Sequence, residues 1–197
     1  RVRSSAASDV YKRQIYAGIT ALLVGLLMLG GMDWFDSICH AFATTGTGGF
    51  STKQASVAYY NSPYIEYVIS IFMFISGINF TLLLLFVNRK FKKFIGNAEL
   101  KFYFGSVVLF TAVIAIVLYY TSPMGMEESF RKSLFQVISL QTSTGFATDD
   151  YMQWTPVLWG LLTIIMLMGA CAGSTTGGLK CIRCLLYTSP SPRDGLL

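Results

Sequence analysis

Four apolar stretches limit what this chain can fold into: Ile15 to Gly31, Pro63 to Asn88, Leu100 to Tyr120, and Pro156 to about Arg183. A helix of about 20 apolar residues crosses a hydrocarbon core of roughly 30 Å. Inside that core a segment must satisfy its own backbone hydrogen bonds. Four such stretches in 197 residues predict an all-α membrane protein. Composition agrees. The chain is 13% charged, with a mean hydropathy of +0.55, whereas soluble domains carry about 25% charged residues. The first stretch is at the short end for a span. Pro63 suits a first helical turn, where a missing N–H costs nothing.

The formal net charge of +5 raises nucleic acid as a partner, but the ends carry much of it. Residues 1–14 (RVRSSAASDVYKRQ) and 185–197 (LLYTSPSPRDGLL) are polar and unpatterned. They resemble adapter read-through and are expected to be non-native tails; the first is not read as a signal peptide. Between them ten basic residues face eight acidic ones, which gives no reason to expect a nucleic-acid partner. Basic residues mark the cytoplasmic side of membrane proteins. Arg89, Lys90, Lys92, Lys93, Lys101, Lys180 and Arg183 fall on one side, and Lys53, Arg131 and Lys132 on the other. Loop 89–101, where Glu99 is the one opposing charge, is therefore expected inside, with 32–62 and 121–155 outside.

The two outer stretches repeat each other. Ser37, Gly49, Phe50 and Thr52 match Ser133, Gly145, Phe146 and Thr148 at a constant offset of 96 positions. Each copy then runs through a polar stretch to a proline (Pro63, Pro156) and an apolar segment with a late glycine (Gly77, Gly169). This predicts tandem helix–pore loop–helix units over 15–88 and 102–184. Each has a short amphipathic segment, Trp34 to Thr45 and Glu127 to Gln141, of about 18 to 22 Å at 1.5 Å per residue. That length suits a re-entrant pore helix. Asp33 before the first and Glu127 and Glu128 in the second complement a helix N-terminus, leaving the partly negative C-terminus to favour a cation.

After these segments come Gly46, Thr47, Gly48, Gly49 and Phe50, and Thr142, Ser143, Thr144, Gly145 and Phe146. Non-helical backbone at membrane depth is tolerated where it lines protein or water. Small residues let successive carbonyls face an axis and replace the hydration shell of K+, as in potassium-channel filters. The order Thr-Gly-Gly-Phe-Ser over 47–51 and Ser-Thr-Gly-Phe-Ala over 143–147 keeps the hydroxyl, central glycine and aromatic of such filters. In the last apolar stretch, Gly169, Gly173, Ser174, Thr175, Thr176, Gly177 and Gly178 weaken a helix, each glycine by about 1 kcal/mol relative to alanine. They are candidates for an intramembrane gate, with close helix packing as the plainer reading. Leu179 between Gly178 and Lys180 excludes a phosphate loop.

The remaining polar residues read more simply. His40, the one histidine, is expected to be a packing or hydrogen-bonding residue. Asn79 is expected either to glue helices or to face the pore. Glu66 is expected to be solvated. Cys39, Cys171, Cys181 and Cys184 read as small packing residues, since the pair at 181 and 184 lacks the second pair of a zinc site.

These motifs resemble the Trk/Ktr/HKT superfamily of cation transporters, closest to its bacterial TrkH type. The likeness rests on Trp34-Phe-Asp36, Cys39-His-Ala-Phe42, Gly48-Gly-Phe-Ser-Thr52, Ser62-Pro63, Ser76-Gly77 with Asn79-Phe80, Thr144-Gly-Phe146, and Gly169-Ala-Cys-Ala-Gly-Ser-Thr175 with Gly177-Gly-Leu-Lys180. It covers about residues 15–183. The resemblance implies a four-repeat, pseudo-fourfold potassium uptake pore in the bacterial inner membrane, of which this chain resembles the second and third repeats. It implies an intramembrane gate loop over 169–178, a homodimer and a cytoplasmic nucleotide-binding regulatory subunit, with no cofactor and no enzymatic activity. Sodium or mixed-cation transport is the alternative. A tetrameric channel is disfavoured by two unlike filter loops in one chain. A membrane enzyme built on His40 or the cysteines is disfavoured by the lack of paired carboxylates or metal spacing.

Overall fold

The computed structural model describes residues 2–87, Arg89 and 94–178. Lys90, Lys92, Lys93, Lys180, Cys181, Arg183, Cys184 and the stretch 185–197 lie outside them. Helices carry the fold, and no β-strand occurs among the described residues. Helix α1 spans Val2–Leu29, α2 Trp34–Thr45, α3 Pro63–Ser76, α4 Phe80–Val87, α5 Ala98–Thr121, α6 Met126–Gln141 and α7 Pro156–Leu167. Single 3₁₀ turns at Ser56–Tyr60 and Tyr151–Gln153 lead into α3 and α7.

The helices group as two similar modules. In the first, α1, α2 and α3 pack together and α1 reaches α4; in the second, α6 packs against α5 and α7. The modules join where α3 meets α6. One core of Leu23, Leu27, Ile65, Ile69, Met73, Tyr103, Phe135 and Phe146 crosses that joint. A smaller core of Ile114, Leu118, Val137, Leu158, Leu162 and Ile165 belongs to the second module.

Sequence periodicity places the short segments well. Trp34 to Thr45 is helical over its expected range, and the second begins one residue early, at Met126. The third span, expected from Leu100, starts at Ala98 because Asn97 caps it; its side chain accepts from the N–H groups of Glu99 and Leu100 at 2.9 and 3.2 Å, as N-caps do. This 24-residue helix is long and apolar enough to cross a membrane by itself.

Other boundaries differ from expectation. Helix α1 is continuous from Val2, although 1–14 reads as an unpatterned tail. Those residues contain neither Gly nor Pro, so nothing in the local backbone stops the helix. The apolar run from Pro63 to Asn88 is two helices, broken at Gly77, Ile78 and Asn79. A Cβ on Gly77 would collide with the Tyr103 hydroxyl of α5 and lie 3.1 Å from Thr142 Cγ2. The break falls where three segments converge. Helix α7 likewise stops at Leu167, just before Gly169. The late glycine of each repeat therefore marks the same event, an interrupted helix.

Candidate functional site: two matched loops above a glycine-rich segment

Both short helices end in one unusual turn. In the first, the N–H of Thr47 donates to Thr44 O (3.2 Å) and that of Gly48 to Ala43 O (2.8 Å). In the second, Ser143 N–H donates to Leu140 O (3.0 Å) and Thr144 N–H to Ser139 O (2.9 Å). This is the Schellman pattern, which satisfies the carbonyls a helix end leaves open. Its left-handed position normally takes glycine. Here Thr47 has φ +51° and Ser143 φ +55°, a conformation that costs a non-glycine residue on the order of 1–3 kcal/mol. Gly49 and Gly145 follow at φ +65° and +86°. The offset of 96 positions seen in sequence thus recurs bond for bond.

The turn reverses the chain and leaves carbonyls over. None of the hydrogen bonds among the described residues uses the carbonyl oxygens of Gly48, Gly49, Thr144 or Gly145. The two loops also meet. A Cβ on Gly49 would strike the carbonyl oxygen of Thr144 and lie 2.8 Å from its carbon, whereas one on Gly145 meets nothing within 4 Å. The aromatic residues diverge in parallel. Phe146 is buried and Phe50 is 82% exposed.

His40 ties the loops together from behind. Its Nδ1 lies 2.7 Å from the carbonyl oxygen of Asp36. A carbonyl only accepts, so Nδ1 carries the proton and Nε2 accepts from the Ser51 hydroxyl at 2.9 Å. The ring stacks on Phe146 at 5.7 Å. The histidine is therefore a hydrogen-bonded packing residue, as its sequence context predicts.

Asp36 anchors the return from the first loop. Its carboxylate accepts from the hydroxyls of Thr52 and Tyr60, both at 2.7 Å, and lies 3.4 Å from Lys53 Nζ. The Tyr60 and Thr52 hydroxyls, helped by Lys53 against the opposing effect of burial, hold Asp36 below the usual carboxylate range. Across the joint, Ala58 N–H donates to Ala147 O at 3.2 Å, and Ala147 N–H to Ser56 Oγ at 3.3 Å.

Glu66 differs from expectation. It is buried rather than solvated and pairs with Arg131 of α6, which also reaches Glu127. The apolar run around Glu66 carries no mark of a partner 65 positions away. Only folding brings the two charges together.

Residues 169–178 lie against the helix-end side of both loops. The segment is non-helical, with Gly173 and Gly178 at φ +77° and +75°. Thr47 Oγ1 donates to Thr175 O at 3.1 Å, while Thr175 Oγ1 lies 3.4 Å from Thr45 O and 3.5 Å from Ser76 O. A Cβ on Gly177 would meet Ser143 Oγ at 3.4 Å, and one on Gly173 the Asn79 side chain at 3.2 Å. The helix break supplies a further anchor, since Cys171 N–H donates to Gly77 O at 3.2 Å. Sequence reasoning identified the segment but missed Glu99, whose Oε1 accepts from the Ala172 N–H. The available signal was its position as the one acidic residue in an otherwise basic stretch.

The family described as TrkH, cation transport protein, matches residues 9–191. The Trk system potassium uptake protein TrkH of Escherichia coli (strain K12) is 37% identical over 182 residues, which cover 91% of this chain and 38% of that protein. The Trk system potassium uptake protein TrkG of the same strain is 35% identical over 170 residues, covering 84% of this chain and 34% of the relative. The crystal structure of the potassium transporter TrkH from Vibrio parahaemolyticus superposes with a TM-score of 0.87 at 35% identity, over 95% of this chain and 40% of that one. The chain thus spans about 38% of the length of the curated TrkH relatives it matches. Its all-helical fold is that of the solved transporter, and the family is one of membrane cation transporters rather than enzymes. On the family match and these identities, the chain belongs to the TrkH family of cation transport proteins.

Proposed function

We propose that the two loops are two walls of a K+-selective filter for potassium uptake, and that residues 169–178 are the gate beneath it. The observation that carries this reading is the repeated turn. Two short helices end alike, in register, and present carbonyls that no other group among the described residues consumes. A cation stripped of water needs such a ring of oxygens at fixed spacing. The Schellman turns hold the spacing, and the helix C-termini add partial negative charge.

On this reading the filter residues are Gly46 to Phe50 and Thr142 to Phe146, binding K+ through backbone oxygen. The remaining walls come from other parts of a longer polypeptide. The chain passes repeatedly through the bacterial inner membrane, with 89–101 cytoplasmic and the filter entrance outside. By resemblance, the working assembly is a homodimer with a cytoplasmic nucleotide-binding regulatory subunit of the Trk/Ktr type.

A second reading, sodium or mixed-cation transport, keeps the same architecture. Glycine at the centre of both loops (Gly49, Gly145) favours potassium. The test is growth at low potassium of a bacterial strain lacking its own uptake systems, carrying the complete reading frame around this chain. Growth restored by potassium-selective uptake is expected, with none from Gly49→Ala. Equal growth with Gly49→Ala rejects the filter assignment, and flux that does not discriminate sodium favours the second reading.

A further inference from the structure

We propose that Glu99 is the latch that holds the glycine-rich segment in place, a positioning residue for the gate on the side of the membrane opposite the filter entrance. This rests on the gate assignment above and adds the residue that controls it.

The argument begins with backbone accounting. A buried N–H in a non-helical stretch needs a hydrogen-bond partner. Ala170 and Cys171 are fully buried. The Cys171 N–H is satisfied by Gly77 O, and the next N–H, of Ala172, by the Glu99 carboxylate. The first partner is fixed backbone at a helix break. The second is a side chain from another helix, and it is charged. Hydrogen bonds with one ionised partner are roughly twice as strong as neutral ones.

The setting keeps the carboxylate aimed. Glu99 is 8% exposed and stands in the first turn of α5, where the positive helix end favours an anion. Asn97 caps that turn and fixes its orientation. Lys101 follows two residues later on an exposed position. The latch is thus continuous with the basic 89–101 stretch, the part of this chain a cytoplasmic regulator would meet first. A small tilt or slide of the start of α5 withdraws the carboxylate. The contacts that Thr175 makes with Thr47, Thr45 and Ser76 are between neutral groups, at 3.1 to 3.5 Å.

The test uses the full-length polypeptide reconstituted in liposomes without a regulatory subunit, with rubidium uptake as the readout. Glu99→Ala should raise unregulated flux about tenfold, the shift in a two-state equilibrium that loss of one hydrogen bond to a charged group produces. Glu99→Gln keeps an accepting oxygen at the same reach without the charge and should leave flux about threefold above the parent, well short of the alanine variant. The rubidium-to-sodium ratio should stay unchanged in both. Buried Cys171 gives a second readout, since labelling by a soluble maleimide, located by mass spectrometry, should accelerate in Glu99→Ala and much less in Glu99→Gln. If Glu99→Ala fails to assemble, Glu99→Asp, which keeps the charge but shortens the reach, takes its place with the same expectation. Parent-like flux and labelling in the shortened or truncated variant overturn the latch, as does an altered selectivity ratio. Deleting part of 173–178 separates the two claims. Raised flux from the deletion alone leaves the gate standing and removes the latch, and unchanged flux from the deletion removes the gate.

Discussion

At the scale of single residues, equivalent positions in the repeat are not equally constrained. Gly49 and Gly145 share a left-handed conformation, so alanine is strained at both. Only Gly49 also faces the backbone of the opposite loop. Gly49→Ala is expected to abolish selective rubidium uptake, and Gly145→Ala to reduce it less; equal effects would deny the close approach of the loops. Buried Glu66 and half-buried Arg131 pair across the joint. Removing one partner of a buried pair typically costs about 3–5 kcal/mol, and the Glu127 carboxylate that Arg131 keeps places the loss of Glu66 at the lower end. Glu66→Leu should therefore lower the unfolding midpoint in detergent sharply, and adding Arg131→Leu should recover part of the loss. A double variant no more stable than Glu66→Leu would show that the pair is not the source. The sequence held both charges, yet a separation of 65 positions hides their partnership.

At the scale of elements, each short helix is defined by how it ends and how its chain returns. The return from α2 hangs on Asp36, whose folded-state pKa lies below its ordinary value of 3.8. A carboxylate depressed in this way contributes stability above its unfolded pKa and loses it as pH falls through the lower folded value. Uptake should consequently be insensitive to external acidification down to about pH 5 as far as this anchor is concerned. Asp36→Asn leaves the Tyr60 and Thr52 hydroxyls competing for one acceptor. It should cost about 1–3 kcal/mol and weaken uptake at every pH, as thermal unfolding and rubidium flux would report. Amphipathic spacing made α2 and α6 legible, since burying one face is a local property of the sequence. The helix break at Gly77 was not legible, because an apolar run with one glycine reads as a continuous helix. The Tyr103 ring that packs against the break comes from another segment.

At the scale of the whole molecule, the two modules are held as one body by the α3–α6 joint and by the 169–178 segment, which touches both loops, the α3–α4 break and α5. Gly77 lies where these meet. Gly77→Ala keeps an allowed backbone, with φ −73°, but drives a methyl into Tyr103, an overpacking cost of typically 1–3 kcal/mol. Adding Tyr103→Phe removes the nearest atom and should return part of the stability in a thermal-shift assay. Failure of the second substitution to help would mean that Thr142, rather than Tyr103, sets the clearance.

The sequence by itself determined the solvent, the helical class, the tandem repeat and the positions of both loops. These follow from apolar run length, local periodicity and glycine placement, each readable within a window of a few turns. Tertiary structure alone decided which repeated positions are tight and which open, where the long apolar run breaks, and which distant carboxylates hold the joint and the glycine-rich segment. Those properties depend on what packs against a residue from another part of the chain. A residue's own neighbours in sequence cannot specify that.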